Sequence, residues 1–169
     1  MGALLLLGCS STQSLQEYYV DNSENPNFLA LDVPANILKL DEAALDETEL
    51  AALKSLRKLN ILFFKKTQEN AQAYREESAK VKEILKNSDF KELMKLNTQF
   101  AKGVIKYSGD GDAIDEVVIY GDSKDKGFGL IRVLGDDMNP AHFMQLMQAL
   151  QKSDMKGEGF SELVGMLKG

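Results

Sequence analysis

The sequence predicts an α+β fold: one mainly antiparallel sheet of about five strands, with helices packed on one face. Three features carry that expectation. Leu59-Asn60-Ile61-Leu62-Phe63-Phe64 is a near-continuous apolar run ending at Lys65-Lys66, and burial on both sides of a central strand is the usual reason for such a run. Phe100 to Tyr107, Glu116 to Tyr120 and Phe128 to Leu134 read as strands joined through Ser108–Asp112 and Gly121–Gly127. Short loops rich in Gly and Asp cannot carry a parallel crossover, so these three form an antiparallel meander. Finally, capped helix starts at Asp46 and Asn139 separate helical from strand-like stretches, and packing them on one face of one sheet is the economical arrangement.

In chain order, Met1-Gly2-Ala3-Leu4-Leu5-Leu6-Leu7-Gly8-Cys9 opens with a short apolar run. Leu6, the small Gly8 and Cys9 resemble the cleavage pattern of a bacterial lipoprotein signal, in which the cysteine is acylated and becomes the mature N-terminus. The run is shorter than an ordinary secretory apolar region and no Lys or Arg precedes it, as in a truncated signal. It is far too short to span a bilayer, and Leu6 stands where N-myristoylation of Gly2 wants Ser or Thr. Residues 10–17 read as a polar leash, 18–152 as the globular body and 153–169 as a glycine-hinged tail.

Within the body, Phe28 to Val33 is a strand closed by Pro34, and 34–40 holds a single helical turn. Asp46 caps the next helix and Glu49 completes a capping box, with Leu45 and Leu50 placed as a staple. Gln68 to Lys86 is a charged surface helix with a narrow stripe of Ala71, Tyr74, Val81 and Leu85. Asp89 and Glu92 repeat the capping-box spacing, which predicts a short helix over Phe90 to Leu96. The last helix of the body starts at Asn139-Pro140, a good cap followed by proline at the first helical position. Its apolar face is Phe143, Leu146, Met147 and Leu150.

The chain has 169 residues, 44% hydrophobic and 27% charged, the make-up of one folded domain. A net charge of −6 argues against nucleic acid, whose phosphates demand a basic stripe. It argues equally against lying flat on anionic lipid. A single cysteine, Cys9, allows no intrachain disulfide.

Asn25-Pro26-Asn27-Phe28, Asp115 to Gly121, Lys126-Gly127-Phe128 and Arg132 to Pro140 together resemble a family of uncharacterised small lipoproteins common in the Bacteroidota, filed as a domain of unknown function. The resemblance covers nearly the whole mature chain, with Gly135-Asp136-Asp137-Met138-Asn139-Pro140 its most characteristic stretch. It implies a single domain at the cell envelope and carries over no catalytic residues. Ser10-Ser11-Thr12-Gln13 lacks the acidic run that often follows the cysteine in surface-exported members, so the periplasmic side is expected.

Candidate sites are few. Asp110, Asp112, Asp115 and Glu116 crowd carboxylates around one turn and offer hard oxygen ligands to calcium, although the spacing is not that of an EF-hand. A solvated hairpin turn is the favoured reading of the same residues. His142, Met144, Met147 and Met138 are soft donors for Cu(I), or core filler. Gly135-Asp136-Asp137 suits a helix approach better than a polymerase metal motif. Catalysis has little to work with: no nucleophile elbow, no phosphate loop, and one histidine. Phe160, Leu163, Val164 and Leu167 make an amphipathic stripe, either folded onto the domain's own sheet or offered to a partner's groove. The expected function is a non-enzymatic interaction or sensor domain, lipid-anchored through Cys9 and needing no cofactor. Its partners would be the membrane, through the lipid, and an envelope protein. The alternatives are a periplasmic ligand- or calcium-binding domain and an envelope hydrolase.

Overall fold

A computed structural model describes residues 13–97 and 101–152; Cys9 and residues 153–169, with the tail stripe, lie outside them. Four α-helices and six strands follow one another as α1 (Leu15–Asn22), β1 (Phe28–Pro34), α2 (Glu47–Ser55), β2 (Leu56–Lys65), α3 (Ala71–Ile84), β3 (Phe90–Asn97), β4 (Lys102–Asp110), β5 (Ala113–Ser123), β6 (Gly127–Met138) and α4 (Pro140–Lys152). Two single 3-10 turns, Ala35–Leu38 and Glu42–Ala44, lie between β1 and α2. All strands join one antiparallel sheet in the order β1-β2-β6-β5-β4-β3.

The α+β architecture with a single antiparallel sheet is as expected, but the strand number and the placing of helices differ. Phe90–Asn97 is a strand rather than a helix, which raises the expected five strands to six. A helix of that length is marginal by itself, whereas the open edge of β4 offers backbone partners from Phe90↔Ser108 to Asn97↔Lys102. Asp89 caps nothing there; its N–H donates to the side chain of Asn87. Helices cover both faces of the sheet, not one. Ile61 and Leu62 are adjacent and point to opposite sides, yet are only 1% and 0% exposed, so each side has its own cover. Leu62, Phe64, Val118, Tyr120, Phe128 and Leu130 pack with α1 and α3. Leu59, Ile61, Ile105, Val117 and Val133 pack with Met138 and α4's Phe143.

The leash expected to reach residue 17 is helical from Leu15. Ser14 accepts from the Glu17 N–H at 3.2 Å while Glu17 accepts from the Ser14 N–H at 2.8 Å, a capping box that buries Leu15 and Tyr18. The same device starts α2, with Asp46 and Glu49 exchanging bonds of 2.8 and 3.0 Å. Asn139 caps α4 through its side chain to the N–H groups of Ala141 and His142. Gly127, where β6 begins, has φ +122, and a Cβ there would sit 1.8 Å from the Phe64 carbonyl oxygen. Only glycine lets β6 enter beside β2 at that point.

Candidate functional site

Under α1 and α3 the aromatic centre of the face is sealed. Phe64 and Phe128 stack with centroids 5.5 Å apart, and Phe28 stands edge-on to both at 5.0 and 5.9 Å. Where this face meets solvent, Asp122 collects donors. Tyr74 gives its hydroxyl at 2.5 Å; Tyr120, Ser78 and Lys82 approach the other carboxylate oxygen at 3.1, 3.2 and 3.3 Å. Burial first, and then the Asp122 carboxylate, push the Tyr74 phenol well above its ordinary range. Tyr120 is raised chiefly by burial, and Tyr18 by burial and its 2.7 Å bond to Glu77. These phenols are therefore neutral donors, unable to take a proton near neutrality. Ser78 Oγ and the Tyr120 hydroxyl also lie 2.9 Å apart, so one donates to the other and Asp122 accepts from Tyr74, Lys82 and the remaining hydroxyl. The network ties α3 to β5.

Beside it opens a cleft of about 790 Å³ lined by Lys82, Lys86, Lys102, Lys106 and Lys124. Lys82 holds Asp122, Lys86 pairs with Glu83 at 3.0 Å, and Lys106 donates to the Leu85 carbonyl at the end of α3. Those contacts account for three of the five lysines. Arg132 and Glu116 form a further inward pair at 2.5 Å, with side chains 10% and 16% exposed.

The opposite face is built differently. Register places Leu31, Ile61, Ile131, Ile119 and Ile105 in one row across β1, β2, β6, β5 and β4. Ile61 and Ile105 are buried, while Leu31, Ile119 and Ile131 remain half-exposed. Between this row and α4 runs a trough of about 190 Å³, walled by Leu40, Ile119, Ile131, Phe143, Met147 and Leu150 among others. Every residue lining it is Leu, Ile, Val, Phe or Met. Such a surface can bury apolar side chains but has nothing with which to orient a polar ligand or move a proton.

The four carboxylates of the β4–β5 turn are not brought together. Asp110 reaches Lys91 at 3.4 Å, Glu116 turns in to Arg132, and Asp112 and Asp115 are exposed. Gly111, with φ +69, opens this two-residue hairpin, and Asp115 is the extra residue where the register shifts. Among the described residues no group of three or more His, Cys, Asp or Glu side chains is placed to hold a metal ion. Met138 is buried and Met147 lines the trough, while His142 is half-buried in α4's first turn. Asp136 pairs with Arg57 at 3.1 Å, and Asp137 takes φ +48 in a bulge of β6 just before the α4 cap. Sequence reasoning missed the trough, because Ile119 and Ile131 become neighbours only through strand register and Leu40 joins them from the loop between the two 3-10 turns.

Residues 18–146, from α1 into α4, match a family described as Domain of unknown function (DUF4252). No curated protein and no solved structure matches the chain.

Proposed function

The chain belongs to the DUF4252 family, and from that premise we propose that it is a non-enzymatic interaction domain of a Gram-negative cell envelope. In this reading an acyl chain on Cys9 holds it at the membrane, facing the periplasm, and the trough beside α4 grips an apolar helix of another envelope polypeptide. The observation that carries the reading is the trough itself: every residue lining it is apolar, whereas the larger cleft on the α3 side is edged by lysines. About 190 Å³ is small against the several hundred Å³ typical of small-molecule sites. It suits one or two apolar anchors of a helix laid along it. The polar groups of the α1/α3 face, neutral phenols around a hydrogen-bonded carboxylate, favour binding over turnover.

Anchoring is supported by Leu6-Leu7-Gly8-Cys9 and by likeness to Bacteroidota lipoproteins. Five residue steps separate Cys9 from the α1 cap Ser14, a reach of at most about 18 Å. The body would therefore stay close to the lipid. The test places a photo-crosslinking residue at Ile131, beside the trough, or at Arg75, exposed on α3, in the anchored chain within its native envelope. Adducts to another polypeptide are expected from position 131 and not from 75, and Cys9→Ser should move the protein to the soluble fraction. Equal adducts from both positions would overturn the docking surface. A Cys9→Ser protein still sedimenting with membranes would overturn the anchor.

A further inference from the structure

Resting on that reading of the trough, we propose that the chain's own residues 160–167 occupy it in cis until a partner displaces them. Three observations point to this occupant. First, the trough is walled on one side by Met147 and Leu150, in the last turns of α4, so the chain leaves α4 at Lys152 beside the groove it would fill. Second, the lengths agree. The connector Ser153-Asp154-Met155-Lys156-Gly157-Glu158-Gly159 reaches up to about 25 Å when extended. That is enough to reverse and return along α4, and its two glycines permit the turn. Phe160, Leu163, Val164 and Leu167 fall on one helical stripe about 10 Å long, and the α4 wall from Phe143 to Leu150 is about as long. Third, a second copy is a poorer fit. The exposed large hydrophobic residues among those described are Val20 and Leu29, neither of which lines the trough, so two copies meeting there would present hollow to hollow.

A segment tethered by so short a connector competes at an effective concentration in the millimolar range. Partner engagement then becomes an exchange, in which only a helix with better anchors displaces the tail.

The test uses the full chain carrying Cys9→Ser, with Met147→Cys and Leu163→Cys added, under mild oxidation. The expected product is a monomer with an internal disulfide, identified by mass spectrometry. A disulfide between two chains, or none, would overturn occupancy in cis. A parallel variant, Leu163→Asp, keeps the test open should the cysteine pair perturb folding. It should raise the fluorescence of an apolar-surface dye several-fold while the melting temperature stays well above room temperature; unchanged dye fluorescence counts against the proposal. Failure here is separable from failure of the trough as a docking surface. If the tail stays away, adducts from Ile131 to another polypeptide remain expected, and if it docks, adducts to residues 160–167 appear first.

Discussion

Both faces of this sheet are apolar, one rich in aromatic rings and the other in aliphatic side chains, and they end in different states. On the α1/α3 side, Leu62, Phe64, Phe128 and Leu130 are at most 1% exposed, under a helix pinned by hydrogen bonds to Asp122 and a second pinned through Tyr18 to Glu77. On the α4 side, Leu31, Ile119 and Ile131 are as apolar, yet stay half-exposed beside a groove. The difference lies in the cover. Polar tethers hold α1 and α3 against the first face at their buried hydroxyls, whereas the described lining of the trough is apolar throughout. An apolar surface with no polar tether over it can exchange what covers it.

The largest expected effect that sharpens this contrast is at the stacked pair. Phe128→Ala should cost about 3–5 kcal/mol in denaturant unfolding, whereas Ile119→Ala should cost about 1 kcal/mol or less because the strands and α4 bury that side chain only in part. Equal losses would break the comparison. Next is the inward ion pair. Arg132→Met leaves Glu116 uncompensated and should cost about 3 kcal/mol or more; Arg132→Met with Glu116→Leu should recover most of that loss, read from the same unfolding curves. Gly127→Ala forces a Cβ against Phe64's carbonyl and should cost more than about 1 kcal/mol.

Alkaline pH tests the α1/α3 face alone. Tyr18, Tyr74 and Tyr120 have folded pKa values raised above 10.0, so the folded chain keeps protons that the unfolded chain gives up. Their stabilisation is complete below about pH 10 and is lost as pH rises past it toward the folded values. Thermal melts should hold steady up to about pH 9 and fall steeply above pH 10. The smallest effect is expected from calcium. A site saturated a hundred-fold would add about 2.7 kcal/mol, and with Asp110 and Glu116 drawn apart to Lys91 and Arg132, millimolar calcium should leave the melting temperature unchanged.

Much of this architecture was legible in the residues. The capping box at Asp46, the Asn139-Pro140 start and the Gly/Asp hairpins are local devices whose chemistry does not wait for tertiary structure, and each is where its spacing places it. The run through Ile61 and Leu62 already required cover on both sides of β2, a requirement the economical one-sided arrangement overlooked. At Asp89 and Glu92 a local signal competed with the unpaired edge of β4, and the edge prevailed. Ser14 and Glu17 carried the capping signal of α1 inside a stretch polar enough to pass for a leash. The trough and the Asp122 network are assembled from residues tens of positions apart, such as Tyr74 with Asp122 or Leu40 with Ile131. No spacing rule along one strand or helix announces them.

The pairing of β2 with β6 joins Lys65 to Gly127 and Leu56 to Gly135, across a span that includes α3 and the whole β3–β5 meander. Neighbouring strands β4, β5 and β6 meet through turns of a few residues, but β2 can dock only after a far longer loop has closed, at a greater entropic cost. This gives assembly an order. Loop-closure entropy predicts that the carboxy-terminal meander zips first, with β3 and β6 as its two edges, and that β6 stays bare until the early strands arrive from the other end of the chain. During that wait the row containing Leu130 and Phe128 lies uncovered, and the nascent molecule is most prone to pair with a neighbour instead of with itself.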